Sequence, residues 1–546
     1  MSVSSRIDSV DTGNSASHRI ARESVYVFLL GLLLFTLGLW QQPFIDFESR
    51  FALFAQEMWR HGLTLFPTTY GEPYPDYPVT GTVLIWLSSL PFGGVTKFSA
   101  ILPTALAAAF SMALLYRLLA DFSKRWALLA LSLQAMTMTF LAEARSISLD
   151  QMLASVTLLG FYVAYREQDA QRNIYGWLAL IFLAGFALRG PLGVVIPAGV
   201  ICGYYAVLRD WRKVLLGGLL ATVILLVAWG ALLALAAKLY GESFAWDIAR
   251  MQVFGRLEAR EAGQPLYYFL SSFGNYALAY PLALIVMAAL VPKIFANDRS
   301  SATQKLLLGC IVWVAIVLVG LSIPHVKKAR YLLPIVPALA ILAAYPWLDT
   351  TSRALRYVKS SCNKLFLVLP LLLAIVVAVI RHRSRHHHAD IQLAWTTLYF
   401  VLALAQIVAI YVYRRWQSER DVAIAIIAAL AVWMVNLFGV EPALRQLHDT
   451  SRFVAQVEAI RANKAAPLVL FGMTRDGEAI KYAVNVPYDF SPTIALDAAQ
   501  LAQQPRPSYV MVRDRNLEAI SQLVSKDEAV LTGSFDGHPF SLFYLP

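Results

Sequence analysis

The stretch 214-VLLGGLLATVILLVAWGALLALAAK-238 runs from Val214 to Ala237 without a charged residue. A helix rises about 1.5 Å per residue, so a run of this length crosses the roughly 30 Å hydrocarbon core of a bilayer. It is apolar on every face, whereas a helix at the surface of a soluble domain keeps one face polar. Lipid offers no partner for backbone polar groups, so the segment reads as a transmembrane helix.

Similar runs lie on both sides of it, near 24–41, 97–119, 126–142, 148–166, 174–189 and 191–208 before it. After it they lie near 268–293, 305–323, 330–348, 364–381, 394–414 and 421–441. The spacing predicts about thirteen spans. The segment 82-TVLIWLSSLPF-92 is too short to cross and is expected to lie at the interface or to re-enter. With 58% hydrophobic and 15% charged residues and a mean hydropathy of +0.57, the expected fold is an all-α polytopic membrane protein.

The formal charge of +11 sits in short basic clusters between spans, which is headgroup anchoring and topology control rather than a nucleic-acid surface. No nucleic-acid partner is expected. Cys202 and Cys310 fall inside apolar runs and Cys362 lies beside one, so no disulfide framework is predicted. The first run follows a polar, Ser-rich segment with no small-x-small cleavage site after it, and reads as a retained span.

Loop charge orients the bundle. With Arg6, Arg19 and Arg22 inside, every even-numbered span returns to a basic turn, from Lys124/Arg125 to Arg414/Arg415/Arg420. An odd number of spans then puts the C-terminus outside. Two outer loops break the rule, 324-PHVKKAR-330 and 381-RHRSRHHHAD-390. Basic charge that topology does not require can hold an anion in the first, the alternative being a cluster snorkelling to headgroups. The second reads as a His-rich surface loop or an adventitious metal site. The organisation expected is a tail 1–23, a membrane part 24–444 with long outer loops 42–96 and 239–267, and an outer part 445–546. In that last part PLVLFGM, SYVMVRD, AVLTGSF and SLFYLP read as strands, with helical stretches around 477–484 and 515–525, giving a small C-terminal α/β extramembrane domain.

Outer loops concentrate the chemistry. In 45-IDFESRFALFAQEMWRHG-62 the spacing of Phe47, Phe51, Phe54 and Met58 predicts an interfacial helix with one aromatic face, in lipid or against the bundle. Asp46, Glu48 and Arg50 stand at its start, and an i,i+4 surface pair of Asp46 with Arg50 is the plain alternative. The turn 143-EARSISLDQM-152 adds Arg145 and Asp150, the latter otherwise a helix-start residue. Arg189, in 186-FALRGPLG-193, is a cation or an interfacial anchor. Lys327, Lys328 and Arg330 complete the set. Carboxylates beside many cations at lipid level suggest that the cations stabilise a lipid-linked phosphate as a leaving group while a carboxylate orients or deprotonates an acceptor.

The pieces FESRFALFAQEM, RSISLDQM, ALRGPLGVVIP, QPLYYFLSSF and HVKKARYLLPIVPALA together resemble the bacterial lipid A aminoarabinose transferases and the related protein O-mannosyltransferases. These are integral-membrane glycosyltransferases of the GT-C type. The resemblance implies an inverting, periplasmic-face transfer of a sugar from a polyprenyl (undecaprenyl) phosphate donor to a lipid A, protein or glycan acceptor. It also implies a bacterial inner-membrane protein with a cytoplasmic N-terminus and a periplasmic C-terminus. The family has adjacent Asp-Glu, then x-Arg, in its first loop, so Glu48 and Arg50 match while Asp46 lies one position early. Asp150 and Arg145 match the second loop. Where the family has Glu-Lys-Pro, this chain has Asp76, Tyr77 and Pro78, leaving the lost phosphate contact to Lys327, Lys328 or Arg330.

The catalytic candidates are therefore Asp46, Glu48 and Asp150, and the phosphate-binding candidates Arg50, Arg145, Arg189, Lys327, Lys328 and Arg330. Asp76, Tyr77, Arg256 and Tyr267 are assigned to the substrate pocket. No cofactor is required by this chemistry. An acidic pair can hold a divalent cation, but the abundant arginines favour a metal-free mechanism. A monomer is expected. Two other readings remain: a transporter or flippase for an anionic polyprenyl-linked lipid, and a scaffold displaying the C-terminal domain. A transporter would place ionisable residues near mid-membrane and show repeats, and neither pattern is present in the sequence. Sugar, acceptor and the choice between Asp46 and Glu48 stay open.

Overall fold

The helix containing the quoted run begins where the Asp210 carboxylate accepts from the Lys213 amide at 3.1 Å, and it continues as Trp211–Tyr240. In the computed structural model, which describes residues 4–40, 42–75, 78–167, 174–255, 266–295, 301–349, 352–386 and 393–546, this helix buries little beyond Gly217, Ala221 and Ala236. Leu215, Leu226 and Val227 stand outward, each at least 65% exposed, as a lipid-facing surface requires. At the opposite extreme, 83% of the apolar 18-residue stretch of Ala329–Trp347 lies buried, against 11% in Trp211–Tyr240. The first is the centre of the bundle and the second its rim.

Among the described residues seven helices are long and apolar enough to cross a membrane, or nine if each of two bent pairs is one span. The chain is a multi-pass membrane protein. The segment predicted as 126–142 is one of the bent pairs: Lys124–Ala135 and Met138–Ala144 meet at 75°. Thr137 sits at the break with its hydroxyl on the Leu133 carbonyl at 3.0 Å, a side-chain bond that competes with the helical ladder. The segment predicted as 268–293 folds back on itself by 118° between Tyr267–Asn275 and Ala279–Leu290. There Leu278 takes a left-handed backbone, φ 67°. Hydropathy reports apolar length but not direction, so neither bend was visible in it. The first helix, Ser4–Thr36, starts well before the hydrophobic run it contains. The short segment 82–92 forms Thr80–Ser89 followed by a 3-10 turn.

Two small strands, β1 (Thr68–Thr69) and β2 (Glu72–Pro73), form a hairpin after the Glu48–His61 helix. The other five strands lie in 468–545: β3 (Leu468–Phe471), β4 (Thr493–Ala495), β5 (Ser508–Arg513), β6 (Leu531–Phe535) and β7 (His538–Leu545). They form one sheet in the order β4-β3-β5-β7-β6, parallel across β4, β3 and β5 and antiparallel beyond. Alternate residues serve opposite faces. Val469 and Phe471 pack with Leu501 and Ile520, while Leu468 and Leu470 belong to the cluster that includes Phe453. The three-residue β4 escaped the sequence reading, and the stretch expected as a helix over 515–525 is a 3-10 helix, Asp514–Ile520.

Candidate functional site

Ser148 caps the helix Leu149–Arg166, accepting from the Gln151 amide at 3.2 Å. That frees Asp150 from the capping role its position allowed. Its carboxylate instead joins two cations: Arg189 Nε donates to Oδ1 at 2.8 Å, and Arg330 Nε lies 3.3 Å from Oδ2. Arg189 ends the helix Tyr175–Arg189 and is 3% exposed. It is aimed by a close crossing with Pro191–Val207, in which Gly185 and Gly193 touch backbone to backbone. A Cβ on Gly193 would lie 1.8 Å from the Gly185 carbonyl oxygen, so any side chain there would push the two helices apart.

Arg330 begins the central segment, with its guanidinium 4.0 Å from the centroid of the Phe47 ring. Among the described residues only its Nε has a polar partner, so the rest of the fork can meet a ligand. Arg189 stacks on Tyr331 at 5.4 Å. Elements far apart in sequence thus converge: Phe47 from the first loop, Asp150, Arg189, and Arg330 with Tyr331.

The first loop separates its two carboxylates. Glu48 is the first residue of its helix and is 3% exposed, in an ion pair with Lys97, itself 5% exposed. Lys97 Nζ also donates to the Pro43 carbonyl at 3.0 Å and lies over Phe44. Asp46 precedes the helix in a left-handed turn, φ 52°, a conformation Asp tolerates better than most residues. It is exposed, and among the described residues its side chain has no hydrogen bond or ion pair, so the i,i+4 pair with Arg50 is not formed. Phe54 and Met58 are buried while Phe47 and Phe51 are half-buried, so the aromatic face turns toward the protein. Arg50 stacks on Tyr74 at 5.4 Å and donates to the Asp476 carbonyl at 3.3 Å.

Lys328 stands exposed at the rim, with no side-chain partner among the described residues. Desolvation, with the Arg330 and Arg50 guanidinium groups beside it, holds its ammonium below the usual lysine range, against a smaller opposing pull from Asp46 and Asp150. Lys327 Nζ turns back to the Pro324 carbonyl at 2.9 Å. Tyr268 rather than Tyr267 braces this loop, its hydroxyl accepting from the Lys328 amide at 3.2 Å; the Tyr267 ring lies against Tyr268.

Arg145 departs from the sequence reading. All five of its N–H groups are engaged: two on Glu441, and the others on the Leu34, Phe35 and Leu37 carbonyls at 2.9, 3.1 and 2.8 Å. It ties down the C-terminal end of the first helix and has no donor left for a phosphate. Asp76, Tyr77 and Arg256 lie outside the described residues, as does part of the loop 381–390. Among the described residues no group of three His, Cys, Asp or Glu is placed to hold a metal ion.

Three residues were missed. Lys97 carried a usable signal, since a lysine in the first turn opposes the helix dipole and needs a nearby anion. Glu143, buried with an Oε2 that has no hydrogen-bond partner among the described residues, and Glu441, the partner of Arg145, carried none.

The solved structure of ArnT from Cupriavidus metallidurans bound to undecaprenyl phosphate superposes with a TM-score of 0.67 at 18% identity, over 95% of this chain and 97% of that one. Its apo form gives 0.69 at 17% identity. This chain has their fold. The profile of the family described as dolichyl-phosphate-mannose-protein mannosyltransferase matches residues 76–240. An undecaprenyl phosphate-alpha-4-amino-4-deoxy-L-arabinose arabinosyl transferase from Enterobacter sp. is 26% identical over 58% of this chain and 58% of its own length. One from Pseudomonas fluorescens is 27% identical over 58% and 57%. The match thus spans somewhat more than half the length of these relatives. The resemblance to GT-C transferases read from the sequence is borne out.

Proposed function

We propose that this chain is a polyprenyl-phosphate-dependent glycosyltransferase of the bacterial inner membrane. The observation that carries the reading is Arg330, held on one edge by Asp150 and presented by Phe47, with Arg189 fixed behind the same carboxylate. A guanidinium positioned in advance stabilises charge that develops on a departing phosphate. An acceptor oxygen attacks the anomeric carbon, the bond from that carbon to the donor phosphate breaks, and its electron pair leaves with the polyprenyl phosphate. Attack opposite the leaving group inverts the anomeric centre. The membrane part, 24–444, supplies these groups. The N-terminus is cytoplasmic, the site and residues 445–546 are periplasmic, and one copy suffices.

Asp46 rather than Glu48 meets the acceptor. It is exposed and, among the described residues, unpaired, whereas Glu48 is closed into its pair with Lys97. Asp46→Asn is expected to lower turnover by about 10²–10⁴-fold with a hydroxyl acceptor, the range for loss of a general base. With lipid A, whose phosphate is already a nucleophile, the same variant keeps turnover within about threefold of wild type, so paired assays identify the acceptor class. Full activity on every acceptor in Asp46→Asn, Asp150→Asn and Arg330→Ala proteins would sink the site.

Lys328 supplies a pH signature. Its protonated form is the one that binds phosphate, and its lowered pKa means that this form is lost at lower pH than for an ordinary lysine. Donor kcat/KM should fall on the alkaline side, and Lys328→Arg should remove that fall because arginine stays protonated. A limb unchanged in Lys328→Arg would assign it elsewhere.

A further inference from the structure

In the five-stranded sheet β3 connects through Glu478–Ala483 to β4 on one side of it, and β4 returns through Ala498–Ala502 to β5 on the other. The carboxyl ends of β3 and β5 therefore flank the point where strand order reverses, the place where open parallel sheets bind ligands. The segments that follow β3 and β5, 472–477 and the 3-10 helix Asp514–Ile520, touch: a Cβ on Gly472, φ 64°, would lie 2.6 Å from Asn516 Nδ2. Glu478 fixes the first loop by accepting from the Thr474 amide at 3.2 Å and its hydroxyl at 3.1 Å.

The same loop rests on the membrane site. Tyr70 Oη donates to the Arg475 carbonyl at 2.9 Å, and Arg50 to the Asp476 carbonyl at 3.3 Å. Arg475 stacks on Tyr70 at 5.3 Å and Arg50 on Tyr74 at 5.4 Å, so one arginine from each part of the chain lies on the same hairpin. The Glu57 carboxylate holds the hairpin turn by its Tyr70 and Gly71 amides. Among the described residues the side chains of Arg475, Arg513 and Arg515 have no hydrogen bond or ion pair. Of the acids beside them in the sequence, Glu478 is taken by Thr474 and Asp514 accepts from Ser541 at 2.9 Å, so the two segments carry more arginine than free carboxylate.

We infer that the crevice at the carboxyl ends of β3 and β5 is a second binding site, which takes a phosphate group of the acceptor and presents that acceptor to the membrane site. Guanidinium forks suit phosphate, and stacking on an aromatic ring orients the fork without consuming its donors. The identity of the ligand as acceptor rests on the transferase reading; the site does not.

The test uses the full chain in phosphatidylcholine nanodiscs, with lipid A and phosphatase-treated lipid A as probes and no donor present. Arg475→Ala/Arg513→Ala/Arg515→Ala is expected to weaken lipid A binding by about tenfold, leaving the unfolding temperature and binding of the dephosphorylated probe unchanged. The triple Lys variant should stay within about threefold of wild type, since it keeps the charge. Arg475→Ala alone, which removes an exposed side chain, should give about a threefold loss and repeats the test if the triple variant folds poorly. Unchanged affinity in the Ala variants, equal wild-type affinity for both probes, or displacement of lipid A by an equal concentration of a phosphate-free acidic glycan would each overturn the inference. In a second assay with donor added, arginine-dependent binding without sugar transfer would overturn the transferase reading alone. Transfer at wild-type acceptor KM in the triple Ala variant would overturn the second site alone.

Discussion

Arg330→Lys is expected to lower kcat/KM for sugar transfer by about 10²–10³-fold, with most of the loss in kcat. Arginine does two jobs at this position. Its Nε edge lies on Asp150 Oδ2 at 3.3 Å while the plane of the guanidinium lies on Phe47, which leaves the opposite edge without a polar partner among the described residues. Lysine has one ammonium and can serve either the carboxylate or the phosphate. The substitution keeps the charge, so weak phosphate attraction survives and donor KM should move by no more than about threefold. What is lost is a fixed donor at the oxygen that becomes charged as the bond breaks, an interaction made mainly in the transition state. Asp150 keeps Arg189 at 2.8 Å, so the variant should remain folded. Steady-state kinetics with varied donor separate the two effects. A loss confined to KM would mean that Arg330 binds the donor without acting on the leaving group.

Much of this site was legible as charge that topology did not require. Positive-inside counting singled out Lys327, Lys328 and Arg330 because the expected topology puts them outside, and Asp150 and Arg189 stood out as ionic residues beside spans. Pairing was not legible, because it depends on where helices bend. The 75° break between Lys124–Ala135 and Met138–Ala144 shapes the chain leading into Arg145, and the 118° fold at Leu278 precedes the Arg330 loop. Neither leaves a mark in hydropathy. Arg145 and Asp150 looked alike in sequence, five positions apart, yet one is engaged on Glu441 and the first helix while the other joins Arg330. Alignment to the family favoured Glu48 over Asp46. Burial reverses that preference, because Lys97 closes over the aligned acid and leaves the displaced one open.

Lys97→Met should destabilise the protein by about 3–5 kcal/mol, whereas Lys97→Met with Glu48→Met should come within about 1 kcal/mol of wild type or exceed it. Both partners are about 4% exposed at their side chains, so removing one leaves the other charged without water or a counter-ion. The single loss is large because desolvation of the remaining ion is no longer offset, and removing both charges removes that penalty. Lys97 also anchors the first loop through the Pro43 carbonyl, so the double variant should lose precision at Asp46 even while it stays folded. Chemical unfolding in detergent measures the cycle, and turnover of the double variant on a hydroxyl acceptor, the class that needs Asp46, measures the positioning. Near wild-type stability of Lys97→Met would show that water reaches the pair. Full turnover in the double variant would show that the anchoring of Asp46 does not depend on it. Loss of both stability and hydroxyl-acceptor turnover in Lys97→Met, with recovery of stability alone in the double variant, is the result that makes Glu48 structural support for Asp46.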